Sequence, residues 1–173
     1  MIVVWILLGL IAAVLVLAAV LPSRFTITKT ITIARSPADV YRKVSDLNQY
    51  REWNPWQKME PTSQQTVTGE PSAVGHRYAW NGKKIGIGSL TLRSGVPGQA
   101  VDFDLQFIKP WKSSADDTWR LEPEAGGTRV IWSNTGALPY PMGRLFGPLI
   151  SKGLNKQFEQ GLSNLKALCE QAA

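Results

Sequence analysis

An uncharged apolar run at the amino terminus limits the fold more than any other feature of this chain. Residues 2–21 carry no charged side chain, and Gly9 alone interrupts the apolar residues. At about 1.5 Å per residue, a helix of this length spans roughly 30 Å, the hydrocarbon thickness of a bilayer. The run is apolar on every face, which argues against a core helix of a soluble domain. We therefore expect residues 1–23 to form a transmembrane anchor and residues 24–173 to form the folded domain.

A cleaved signal peptide is the alternative interpretation of this run. A signal peptide carries a basic start, a shorter apolar stretch and a small-x-small cleavage site. No Lys or Arg precedes the run, the run is long, and Leu17-Ala18-Ala19 is a poor cleavage site. Positive charge lies only on its C-terminal flank, beginning with Arg24 and Lys29. The positive-inside rule then predicts a single-pass protein of the inner (cytoplasmic) membrane, with the domain in the cytoplasm.

Alternating apolar and polar residues predict an antiparallel sheet after the run. In residues 25–33, apolar side chains alternate with threonines, as in a half-buried strand. Ser36-Pro37 predicts the start of a short helix, because serine can cap it and proline suits its first position. Short strands follow from residue 64 onward, with a tight hairpin turn predicted at Asn81-Gly82 and a bulge near Gly88-Ser89.

The chain ends in a predicted amphipathic helix. Its apolar residues recur at spacings of three and four: Leu154, Phe158, Leu162, Leu165 and Cys169. Pro148 suits the first turn of a helix, and Pro139, Pro141 and Gly143 break the chain before it, so we expect roughly 20 helical residues from there. The order of strand, short helices, about six strands and long helix predicts an α+β domain, with helices on one face of an antiparallel sheet.

Several short motifs follow one another along residues 24–171. They are Ile31–Pro37 with Val40-Tyr41, Trp53-Asn54-Pro55-Trp56, Tyr78-Ala79-Trp80, Gly86-Ile87-Gly88, Gly127–Trp132, and Phe158–Leu162. In this order they resemble the START-like, helix-grip SRPBCC superfamily, and within it the polyketide cyclase/dehydrase-like branch in its membrane-anchored bacterial form. The resemblance implies a curved sheet that grips the C-terminal helix, with an apolar cavity between them. It does not specify a function, because this fold serves many.

The implied cavity has candidate lining residues on the strands and on the last helix. We predict as ligand-binding residues Tyr78, Trp80, Phe103, Leu105, Trp119, Leu121, Phe146, Ile150, Leu154 and Phe158. The same side chains would fill a solid core if no cavity exists. An aromatic-rich patch with convergent polar groups is the default pocket hypothesis, and an apolar small molecule or a membrane lipid is the ligand class that it suits.

Residues able to do chemistry are few. With one His and one Cys, the chain has no multi-histidine or cysteine metal site, and we expect no metal and no cofactor. Acid–base work would fall to His76, Tyr78, Lys29 or Asp117. Lys29 and Asp117 interrupt the apolar alternation, so they either reach water near strand ends or place polar contacts in the cavity.

The net charge of +6 does not indicate nucleic acid binding, because the Lys and Arg residues are scattered rather than gathered in a stripe. Anionic lipid suits a basic domain next to a membrane, and Lys83-Lys84 and Lys109–Lys112 are candidate contacts. We expect a membrane-anchored domain that binds a hydrophobic small molecule or lipid. A cyclase/dehydratase-like enzyme and a protein-interaction module with a closed core are the alternatives. The sequence identifies no protein partner.

Overall fold

Twelve elements follow one another along residues 1–171, the part of the chain that this computed structural model describes. They are α1 (Ile2–Val20), β1 (Arg24–Ile33), α2 (Pro37–Ser45), α3 (Leu47–Trp53), α4 (Pro55–Met59), β2 (Gln64–Thr68), β3 (Arg77–Asn81), β4 (Ile87–Val96), β5 (Ala100–Lys109), β6 (Ser113–Glu124), β7 (Gly127–Ala137) and α5 (Met142–Gln171).

The strands form one seven-stranded antiparallel sheet in the order β1-β7-β6-β5-β4-β3-β2. The sheet is curved, and α5 packs across its concave face together with the short helices α2–α4. This confirms the α+β, helix-grip architecture. The first strand and the six strands after the short helices agree with the order of elements that the sequence pattern indicated.

The first strand and the helix after it form where the sequence predicts them. β1 pairs with β7 along its whole length, from Arg24 opposite Ala137 to Ile33 opposite Thr128. At the start of α2, the backbone N–H of Asp39 donates to Ser36 Oγ at 3.2 Å, and Pro37 occupies the first helical turn. Both predictions depended on residues adjacent in sequence, which is why they hold.

The turn after β3 is wider than the predicted Asn81-Gly82 turn. Asn81 remains in β3 opposite Ile87, and residues 82–86 form the loop. The carboxylate of Glu60 accepts hydrogen bonds from the backbone N–H groups of Lys83 and Lys84, both at 2.8 Å. The prediction of a tight turn was therefore wrong, because the carboxylate of a residue distant in sequence accepts hydrogen bonds from the backbone amides of a longer loop. The predicted bulge is confirmed as a register shift between Ile87 and Gly88.

The last helix begins at Met142 rather than at Pro148. Pro148 lies inside the helix, where it costs one backbone hydrogen bond. The two glycines ahead of Pro148 lie inside the helix and pack closely against Leu138 and Pro139. A Cβ on Gly143 would come within 2.7 Å of Pro139 Cδ, and one on Gly147 within 2.8 Å of Leu138 Cδ1. Gly143 is therefore a contact residue and not the helix breaker that the sequence suggested.

The concave and convex faces of the sheet differ in character. The core contains a stack of aromatic rings in which Trp132 lies 4.4 Å from Trp119 and 3.9 Å from Phe158, centroid to centroid. On the convex face, Arg93 Nη1 pairs with Asp116 at 2.7 Å and also with Asp104. Cys169 is buried in the core, and burial raises the pKa of its thiol to about 11, so it is an unreactive core residue.

Helix α1 is exposed along its length except at Ala18, and it contacts the start of α5. Arg144 Nη1 donates to the carbonyls of Ala18 and Ala19 at 3.4 and 3.2 Å, where the helix has no donors of its own. The Tyr140 hydroxyl donates to the Leu15 carbonyl at 3.1 Å. By length and composition α1 can cross a membrane, a property that a signal sequence shares.

Candidate ligand-binding cavity

A cavity of about 320 Å³ lies between the concave face of the sheet and the helices α3, α4 and α5. This volume is at the lower end of the range for small-molecule sites. Aromatic and aliphatic side chains form most of its wall, and Asp117 is the one charged residue among the described residues that line it. The cavity therefore suits a small, predominantly apolar molecule.

Most of the residues predicted to bind a ligand do line this cavity. They are Tyr78, Trp80, Phe103, Leu105, Trp119, Ile150, Leu154 and Phe158. Leu121 does not, because it lies further along β6 and is buried in the core. Phe146 does not either. Gly143 and Gly147 turn their side of α5 towards Leu138, and Phe146 is 45% exposed. For the eight of these residues that line the cavity, a role in binding remains a prediction.

Several lining residues were missing from the sequence-based prediction. Trp53 ends α3, Trp56 belongs to α4 and Asn54 lies between these helices, whereas Trp132 and Asn134 come from β7. Inward-facing residues alternate along β7, so that pattern could have identified Trp132. Nothing in the local sequence indicates that two short helices turn their tryptophans towards the sheet.

Asp117 is buried in the wall of the cavity and is held by three donors. Its Oδ1 accepts from Trp119 Nε1 at 2.8 Å, and its Oδ2 accepts from Trp132 Nε1 at 2.8 Å and from Asn134 Nδ2 at 3.0 Å. The sheet register aligns these groups, because Asp117 lies opposite Asn134 and Trp119 lies opposite Trp132. Burial raises the pKa of Asp117 to about 6, although the three hydrogen bonds oppose this shift.

The two charged residues that interrupt the apolar alternation thus have different surroundings. Asp117 is 4% exposed and does not reach water near a strand end. Of the two possibilities that the sequence left open, it therefore places a polar contact in the cavity. Lys29 does not line the cavity. Its Nζ donates to Glu159 Oε1 at 2.6 Å between β1 and α5, and its side chain is partly exposed. Lys29 therefore belongs to the surface of the domain.

Two tyrosines complete the polar part of the wall. Burial raises the pKa of Tyr78 to about 12 and that of Tyr50 well above its ordinary value. Both hydroxyls therefore keep their protons at neutral pH and can donate hydrogen bonds. Within residues 1–171, no group of three His, Cys, Asp or Glu side chains is arranged to hold a metal ion.

His76 is fully buried and does not line the cavity. The backbone N–H of Leu47 donates to its Nε2 at 2.9 Å, and its Nδ1 lies 3.1 Å from the Thr68 carbonyl. With Nε2 as acceptor, Nδ1 carries the proton and donates to that carbonyl. These bonds tie β2 and β3 to the start of α3, so His76 is a structural residue and not an acid or base for the cavity.

The cavity extends to the end of the sheet at which β1 begins and β5 ends, here termed the cavity edge. The β3–β4 and β5–β6 loops and the start of β1 all lie at this edge, because neighbouring strands are antiparallel. Pro110 and Trp111 of the β5–β6 loop and Ala137 at the end of β7 line the cavity there. α1 joins β1 at this same edge through residues 21–23.

Comparisons with known proteins agree with this fold. The family model described as polyketide cyclase / dehydrase and lipid transport matches residues 24–170. No curated protein sequence matches the chain.

Solved structures also share the fold. Protein CV1439 from Chromobacterium violaceum has 19% identity and a TM-score of 0.64, over 84% of this chain and 96% of that one. Protein MLL2253 from Mesorhizobium loti has 16% identity and a TM-score of 0.64, over 86% and 99%. The Aha1 dimer from Colwellia psychrerythraea has 17% identity and a TM-score of 0.56, over 82% and 93%. At these identities the structures establish the fold alone, and it is the family model, matching nearly all of the chain after α1, that shows that this chain belongs to the polyketide cyclase/dehydrase and lipid transport family.

Proposed function

We propose that this protein is a membrane-anchored domain that binds a hydrophobic small molecule or a lipid in its internal cavity. The observation that carries the proposal is the cavity of about 320 Å³ with a wall that is largely aromatic and aliphatic. Burying apolar ligand surface against such a wall is favourable by roughly 25 cal/mol per Å². The small volume favours a compact molecule or a single alkyl chain.

The anchor is part of the proposal. α1 is exposed and apolar, and positive charge begins directly after it at Arg24. We propose that α1 spans the inner membrane and that the domain lies on the cytoplasmic side. The link of residues 21–23 is short, so the cavity edge at which α1 joins β1 would face the headgroups. An apolar ligand could then pass between bilayer and cavity without crossing water.

Binding of an apolar fluorescent probe to the full chain in detergent tests the cavity. Leu105 lines the cavity, so Leu105→Trp fills empty space and should weaken probe binding by about tenfold or more. Its effect on the free energy of unfolding should be smaller than the roughly 1–3 kcal/mol that overpacking costs in a solid core. Leu121→Trp is the matched control, because Leu121 is core outside the cavity and should show the opposite pattern.

The outcome that contradicts binding is absence of probe binding to the parent chain together with a large loss of stability in Leu105→Trp. That result would favour the alternative of a protein-interaction module with a closed core. Native mass spectrometry of the detergent-extracted chain would identify the molecule that co-purifies.

A cyclase or dehydratase activity is the second candidate, and Asp117 is the observation in its favour. Burial brings the pKa of this carboxyl to about 6, within the range in which a group can both accept and donate a proton. Tyr78 supplies a second proton donor on the same wall. Incubating the co-purified molecule with the full chain and with Asp117→Asn, and following loss of water or ring closure by mass and chromatography, separates turnover from binding.

A further inference from the structure

We infer that the cavity selects amphiphiles whose polar end donates hydrogen bonds, namely a hydroxyl or an ammonium group, and rejects those that end in a carboxylate. The inference rests on the proposed function, since it specifies the ligand class for the same cavity. Asp117 is the residue that distinguishes these ligands. The hydrogen bonds that its polar neighbours donate leave one acceptor position open for the ligand.

The hydrogen bonds of Asp117 leave room for one more donor. A carboxylate has about four acceptor positions, two on each oxygen. Trp132 and Asn134 occupy both positions on Oδ2, whereas Trp119 alone donates to Oδ1. A ligand hydroxyl or ammonium can take the remaining position on Oδ1. A ligand carboxylate has no proton to offer there.

Charge acts in the same direction as hydrogen bonding. Asp117 is held by neutral donors, and among the described residues no Lys, Arg or His nitrogen lies within ion-pair distance of it. A buried carboxylate without a cation is costly, and a bound ammonium would relieve that cost. A second anion in the same low-dielectric wall would be repelled.

The position of Asp117 sets the orientation of the ligand. Ser113 begins β6 at the open edge, and Asp117 lies four residues further along, which is about 13 Å of strand. Tyr50 and Tyr78 line the cavity together with Asp117, whereas Leu105, Ile150 and Leu154 provide apolar wall. The polar end of the ligand therefore lies at depth, and its alkyl part extends towards the edge at which α1 joins.

The test compares three probes that share one alkyl chain: decanol, decylamine and decanoate. Each competes with an apolar fluorescent probe for the full chain in phosphatidylcholine nanodiscs, and empty nanodiscs correct for partition into lipid. We expect decanol and decylamine to displace the probe at concentrations about tenfold or more below that of decanoate. In Asp117→Asn the gap should shrink to about threefold or less, mainly because decanoate binds better.

Asp116→Asn is the matched control. Asp116 is the neighbouring residue on the opposite face of β6, where it pairs with Arg93, so its loss should leave the ligand preference unchanged. If Asp117→Asn does not fold, the three-probe comparison on the parent chain decides alone. Equal displacement by all three probes would overturn this inference while leaving the cavity function intact. No binding of the fluorescent probe to the parent chain would overturn both.

Discussion

At the scale of single residues, Asp117 has the most unusual surroundings, because a carboxylate is ordinarily exposed to water and this one is buried. Two indole N–H groups and one amide hold its carboxylate inside an aromatic wall. Removing the carboxylate would leave three buried donors without an acceptor, and each of these costs roughly 1–3 kcal/mol. The carboxyl group of Asp117 thus holds the side chains of Trp119, Trp132 and Asn134 in place, and it keeps a charge or a proton next to the cavity.

Asp117 should make the stability of the fold depend on pH. Its pKa of about 6 in the folded chain exceeds its ordinary value of 3.8, so the folded chain binds this proton more tightly than the unfolded chain does. The resulting stabilisation is complete below about pH 4 and is lost as pH rises through about 6. A shift of this size corresponds to roughly 3 kcal/mol.

Chemical unfolding of the full chain in detergent, followed by tryptophan fluorescence between pH 4 and pH 7, measures this effect. We expect the Asp117 contribution to fall over that range in the parent and in Asp116→Asn, and to be absent in Asp117→Asn. Carboxyls whose pKa is lowered, such as Asp46 and Glu170, lose their stabilisation mainly below this window. An unchanged pH slope in Asp117→Asn would refute the assignment.

At the scale of elements, α5 meets different partners along its 30 residues. Its first turns contact α1 and Leu138, whereas its later turns bury Phe158, Leu162 and Leu165 against the sheet. Glycines mark the close approaches. A Cβ on Gly161 would lie 2.9 Å from Trp132 Cζ3, whereas one on Gly153 would meet nothing within 4 Å.

These two glycines give a matched pair of substitutions in one helix. Gly153→Ala should raise the free energy of unfolding by roughly 0.5–1 kcal/mol, because alanine favours the helix and no neighbour is disturbed. Gly161→Ala should lower it by about 1–3 kcal/mol, because Trp132 must shift in a packed core. Thermal unfolding of both variants measures the difference, and similar changes in the two would show that Gly161 is not a tight contact.

At the scale of the whole molecule, apolar side chains lie exposed near the junction of α1 and α5. On α5 they are Met142, Phe146 and Leu149, which recur at helical spacing, and Ile108 is exposed at the end of β5. Tyr140 and Arg144 hold the end of α1 beside them. An exposed apolar surface next to an apolar helix is what a membrane-facing edge requires, and tyrosine is typical of the interface between lipid and water.

We predict that this edge contacts the bilayer. In nanodiscs containing headgroup-quencher lipids, an environment-sensitive dye on Phe146→Cys or Trp111→Cys of the full chain should be quenched. A dye on Ala125→Cys should not be, because the β6–β7 loop lies at the opposite edge of the sheet. Replacing Lys109 and Lys112 by Ala should reduce quenching at position 111 in anionic nanodiscs at low salt. Equal quenching at 125 and 146 would contradict this orientation.

The sequence alone was enough to predict what depends on residues close to each other along the chain. The alternation in residues 25–33, the cap at Ser36 and the spacing of Leu154, Phe158 and Leu162 each report a local period, and the order of elements then indicates the helix-grip fold. Alternation along the other strands likewise places polar side chains on the convex face, where the structure pairs Asp104 with Arg93.

Only the tertiary structure decided what depends on contacts between distant segments. Glu60 holds the wider β3–β4 loop, and α5 begins at Met142, ahead of Pro148, where its first turns contact α1. The register of β6 against β7 gathers Trp119, Trp132 and Asn134 around Asp117, and it buries a carboxylate that the sequence left between water and cavity. Whether an aromatic ring fills a core or lines a cavity depends on the distance between the sheet and the helices packed against it. Local periodicity carries no information about that distance.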